Sequence, residues 1–112
     1  MKEANVQNTI LKELSLKIPE LKLFRNHTGK VKDQNGVYHT FGLCLGSADI
    51  IGWYKGRFVS IEVKTEKGVV KELQKNWLKN VNQAGGFAII ARSTEDALLK
   101  LKPLITGDKN GE

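Results

Sequence analysis

The chain has 112 residues, 40% of them hydrophobic and 27% charged, with 18 Lys and Arg against 12 Asp and Glu for a net charge of +6. That length suits one packed domain and not two, no apolar run approaches the ~20 residues of a membrane span, and no signal-peptide pattern follows the charged start. One cysteine, Cys44, excludes an internal disulfide and makes a reducing, cytoplasmic setting the expectation, while the basic balance fits a nucleic-acid partner or simply a small basic protein.

Residues 2–18 carry Val6, Ile10, Leu14 and Ile18 at four-residue steps, widened by Leu11. The spacing predicts an amphipathic helix that Pro19 ends. Glu3 and Gln7, also four apart, share one side of its first two turns and by themselves read as solvated polar residues. Residues 21–26 form the first β-prone run. The stretch that follows, up to Gly46, is long and polar, and Asp33-Gln34-Asn35-Gly36 within it is a turn signal. Residues 37–45 are therefore expected to pair with 29–32 as a small flap. Arg25, Lys30 and Lys32 make its approach basic, which suits either phosphate contact or an ordinary solvated rim.

Two β-rich runs follow, 48–53 and 58–64, around Tyr54-Lys55-Gly56-Arg57. Gly56 can take the positive φ of a tight turn, so a β-hairpin is predicted. Along the second run Phe58, Ser60, Glu62 and Lys64 fall on one face, and Val59, Ile61 and Val63 on the other. Asp49, near the start of the first strand, comes level with the end of the second. The hairpin thus gathers two carboxylates and one ammonium at one end of a sheet. Such a set suits a hard divalent cation, with a lysine for a phosphate or an attacking water. The plainer alternative, a Glu62–Lys64 ion pair with Asp49 as a turn residue, leaves a carboxylate between Ala48 and Ile50 at a cost.

After a loop at 65–68, residues 70–84 read as a helix with Leu73, Trp77, Val81 and Ala84 as its buried stripe and Gln74 at the border. Lys71, Lys75 and Lys79, four apart, suit phosphates or a solvated face. Gly85-Gly86 closes the helix. The apolar run 87–91 suits a central strand covered on both faces, reached by a right-handed β-α-β crossover. Ser93 is the N-cap of a last helix, with Glu95 or Asp96 in its first turn and Ala97, Leu98 and Leu101 packing it as far as Pro103. Residues 106–112 are expected to form a flexible tail. His27 and His39 lack the spacing of a zinc site, Trp53 reads as core, and no nucleotide-binding fingerprint appears. The order α-β-β-β-α-β-α predicts an α/β domain over residues 1–105, a mixed sheet flanked by helices.

Asp49 followed by Glu62-Val63-Lys64 resembles the PD-(D/E)XK nuclease signature. The longer set, Gly46-Ser47-Ala48-Asp49-Ile50-Ile51-Gly52, Ile61-Glu62-Val63-Lys64, Gln74 and Ala84-Gly85-Gly86, resembles the VRR-NUC branch of that superfamily, with Ala48 where the family usually has proline. The resemblance implies a restriction-endonuclease-like αβββαβ core and a Mg²⁺- or Mn²⁺-dependent DNA endonuclease. It implies Asp49, Glu62 and the backbone carbonyl of Val63 as metal ligands, Lys64 as a catalytic group, Gln74 next to that lysine, and Glu3 and Gln7 beside the active site. Gln7, Arg25, Lys30, Lys32, Lys71 and Lys75 are the candidate DNA contacts. The small stand-alone members it resembles, many of phage origin, act on four-way junctions; two cuts on opposing strands then predict a homodimer, and neither a membrane nor a nucleotide cofactor is expected. The rival expectation is a basic nucleic-acid-binding module that keeps the fold without turnover.

Overall fold

The computed structural model describes residues 2–107. Nine elements follow one another: α1 (Glu3–Lys17), β1 (Leu21–Arg25), β2 (Gly29–Lys32), β3 (Tyr38–Phe41), β4 (Ile50–Tyr54), β5 (Arg57–Val63), α2 (Glu72–Gln83), β6 (Phe87–Ala91) and α3 (Thr94–Thr106). β1, β4, β5 and β6 form one sheet in that spatial order, and β2 and β3 form a separate two-stranded flap. β1–β4 and β4–β5 are antiparallel; β5–β6 is parallel, as the intervening helix requires.

The β4–β5 hairpin is the expected one. Tyr54 pairs with Arg57, and Lys55 (φ 48°) and Gly56 (φ 82°) make the two-residue turn, both left-handed as a type I′ turn demands. Val59, Ile61 and Val63 are fully buried and join Ile10, Leu14, Ala97 and Leu101 in one core with α1 and α3. The opposite face of β5 meets α2: the Trp77 indole donates to the Ser60 hydroxyl at 2.7 Å, and Asn82 pairs both backbone groups of Ala88 at 2.9 and 3.1 Å. In the flap, one Asp33 oxygen accepts from the Asn35 and Val37 amides. The other lies 2.7 Å from the His39 ring, and that contact, first among its causes, lowers the Asp33 pKa.

Four expectations need correction. The 87–91 run is not central: β6 is an edge of the described sheet. Its apolar character reflects cover on both faces by α2 and α3, which burial patterning reports and hydrogen-bonded neighbours do not. Leu73 and Ala84 are exposed, and the stripe of α2 narrows to buried Val81 and half-buried Trp77. The first turn of α2 lies past the sheet, where Leu73 meets the loop at Gly46. Trp53 is not core; it stands on the outer face against Phe24, ring centres 5.3 Å apart, and is 52% exposed. Finally, α3 runs through Pro103 to Thr106 and ends at Gly107 (φ 78°). Leu104, buried in the core, anchors the turn beyond the proline. Residues 108–112 of the expected tail lie outside the described residues.

Candidate metal centre

Strand register builds the site. Ile50 pairs with Ile61, so Asp49 stands beside Glu62, and one Asp49 oxygen accepts the Val63 amide at 2.9 Å. Val63 thus enters through its backbone while its side chain fills the core. The entry to β4 is fixed by a residue that the sequence did not single out. Asn26 donates its amide to the Asp49 carbonyl at 2.8 Å and its side chain to Ser47 Oγ and Ala48 O, both at 2.8 Å. This staple holds the segment where the resembled pattern has a rigid proline and this chain has Ala48. An asparagine after a strand carries no periodic signal, so only the tertiary fold reveals it.

The N-terminal turn of α1 brings Glu3 to the same place. One carboxylate oxygen each from Glu3, Asp49 and Glu62 lie within 4.8 Å of one another. Glu62 is 4% exposed. Its Oε2 accepts from Gln74 Nε2 at 3.0 Å and lies 3.7 Å from Lys64 Nζ. Its Oε1 is buried with no hydrogen-bond partner. Burial pushes the Glu62 pKa up to about 8, helped by the charge of Asp49 beside it and opposed by Lys64. Three carboxylates facing one ammonium, with one oxygen orphaned, make a site short of positive charge. A hard divalent cation supplies that charge and takes oxygen donors at this spacing. The donor set fits one.

Gln74 meets the same Glu62 oxygen as Lys64. It donates to Glu62, and its own Oε1 accepts the Lys71 amide at 2.9 Å, so it links the start of α2 to the carboxylate. Gln7 lies one turn along α1 from Glu3 and is half-buried. Among the expected DNA contacts, Arg25 donates to Asn8 Oδ1 and ties β1 to α1, and Lys32 lies 5.6 Å from the centre of the Tyr38 ring. Lys30, Lys71 and Lys75 are exposed.

The VRR-NUC domain model matches residues 9–95. The chain belongs to the VRR-NUC family. No curated protein matches the chain. Membership makes this VRR-NUC domain a nuclease of the PD-(D/E)XK type, a class that usually uses divalent metals. The mixed sheet flanked by helices agrees with a restriction-endonuclease-like fold. No helix among the described residues is long and apolar enough to cross a membrane.

Proposed function

We propose that this VRR-NUC domain, residues 1–105, is an endodeoxyribonuclease dependent on Mg²⁺ or Mn²⁺. The observation that carries the reading is the convergence of Glu3, Asp49 and Glu62 on one point, with Glu62 Oε1 buried and unpartnered and Lys64 Nζ beside it. Asp49 and Glu62 would hold the cation, with the Val63 carbonyl, and Glu3 would complete the ring of carboxylates. A bound divalent cation lowers the pKa of its water and offsets negative charge on the phosphate. Lys64 orients the attacking water or neutralises charge that grows on the phosphorane. Gln74 keeps the Glu62 carboxylate in one rotamer without adding charge. Gln7, Arg25, Lys30, Lys32, Lys71 and Lys75 contribute phosphate contacts around this centre.

We further propose that the substrate is branched DNA, in the manner of a Holliday-junction resolvase, and that the active form is a cytoplasmic homodimer. Two cuts on opposing strands need two sites, and a twofold axis supplies them. Support comes from apolar side chains exposed on and after the flap, Val37, Tyr38, Phe41 and Leu43. A cleavage assay on linear, flap and four-way DNA, with and without Mg²⁺ or Mn²⁺, tests both levels. Cation-dependent cutting is the expected result. Tight binding without cutting in either metal would favour the non-catalytic module instead.

A further inference from the structure

β5 and β6 end together. The Lys64 amide donates to the Ala91 carbonyl at 3.0 Å, and the chain then folds into a turn closed by Gly68 N–H to the Thr65 carbonyl, also 3.0 Å. One residue past Ala91, Arg92 reaches back into that turn. A single guanidinium nitrogen, Nη1, donates to the carbonyls of Thr65 at 2.6 Å, Gly68 at 2.8 Å and Glu66 at 3.2 Å. No carboxylate among the described residues lies within ion-pair distance of this guanidinium. Backbone dipoles of one turn therefore answer its charge. Arg92 is itself anchored: its amide donates to Asp96 Oδ2 at 3.0 Å. Lys100 Nζ holds the same oxygen at 3.1 Å, and the Asp96 amide is capped by Ser93 at 3.0 Å.

The turn so fixed lies against Lys64. A Cβ placed on Gly68 would stand 3.4 Å from the Lys64 Cβ and 3.3 Å from the Thr65 nitrogen and hydroxyl. The turn therefore runs along the base of the lysine stem, with room there for about one methyl group and little more. Lys64 is 6% exposed, and its ammonium is of use only where it now stands, beside Glu62. We infer that Arg92 is a positioning residue for Lys64, locking the 65–68 turn behind the lysine so that a flexible four-carbon stem presents its ammonium in one place. The inference rests on the reading of Lys64 as a group acting on the scissile phosphate or its water. Misplacing such a group by about 1 Å costs on the order of 10²-fold in rate.

The test compares wild type with Arg92→Ala, Arg92→Lys, Gly68→Val and Lys64→Ala. Each is measured for kcat and KM in cleavage, for Mn²⁺ binding by calorimetry, and for amide exchange over residues 64–68 without metal. Arg92→Ala should lower kcat about 100-fold with KM within about threefold, keep Mn²⁺ affinity and speed exchange at Gly68. Arg92→Lys should recover most of kcat, because an ammonium offers three donors to the carbonyls, against two N–H on Nη1. Gly68→Val, which crowds Lys64 and leaves Arg92 in place, should repeat the kcat loss and keeps the test open if Arg92→Ala fails to fold. A wild-type kcat in both Arg92→Ala and Gly68→Val, with Lys64→Ala inactive, overturns the inference alone. A loss confined to KM does so too, since Arg92 would then be a substrate contact. Full activity of Lys64→Ala overturns the reading of Lys64 beneath it.

Discussion

Buried, and with the charge of Asp49 beside it, Glu62 keeps its proton in the metal-free fold up to about pH 8, against the opposing pull of Lys64. The unfolded chain releases the same proton near 4.5. Between those values the folded state binds more protons than the unfolded one, so stability must fall as pH rises through the window and level off above it. The melting temperature of metal-free protein should therefore decline from the ordinary carboxylate range to about pH 8. Mn²⁺ should offset the decline by taking the place of the proton. Glu62→Gln should flatten the profile and abolish cleavage, while leaving most DNA affinity to the lysines and arginines. A steep pH profile that survives in Glu62→Gln would assign the effect to another group. Lys64→Ala divides the roles further: turnover is lost, yet calorimetry should still find Mn²⁺ bound, because Asp49, Glu62 and Glu3 remain.

At the scale of elements, the β4–β5 hairpin decides where those residues meet, and it depends on a close approach at Gly52. A Cβ there would lie 1.7 Å from the Lys22 carbonyl across the β1–β4 ladder. Gly52→Ala should thus separate the strands that hold Asn26 and Asp49, at a cost of about 3 kcal/mol or more, read as a lower urea midpoint and lower Mn²⁺ affinity together. The hairpin was legible in the sequence because period-two alternation and a Lys-Gly turn point to the same register, and register alone brings Asp49 level with Glu62. The flap was legible from Asp33 to Gly36 for the same reason. What stayed hidden depends on which neighbour an element finds. Trp53 and Leu73 are apolar residues with strand and helix spacing, and nothing in either run says that its partner surface is missing. The third carboxylate, Glu3, came from the resemblance and not from periodicity, since 46 residues separate it from Asp49. Arg92 and Asn26 act by bonding backbone carbonyls of distant loops, and such acceptors have no side-chain identity to read.

The whole molecule carries a net charge of +6, with apolar groups gathered outside the core. Phe24, Trp53 and Phe58 stand on the outer sheet face, and Val31, Val37, Tyr38, Phe41 and Leu43 on and after the flap, all at least 38% exposed. Apolar groups clustered on and after one two-stranded flap suit a contact surface. Burying the flap residues against their copies across a twofold axis would set two Asp49–Glu62 centres in symmetric relation, the arrangement that opposing cuts demand. Sedimentation at micromolar concentration should then find a dimer. Tyr38→Glu with Phe41→Glu should give a monomer that still binds Mn²⁺, because the flap is a sheet of its own and the metal centre lies on the other one. That monomer should nick a four-way junction without resolving it. Binding by the dimer should weaken steeply as salt rises, in proportion to the phosphates neutralised. A wild-type monomer that cuts linear duplex as fast as a junction would remove the resolvase reading and leave the nuclease one in place.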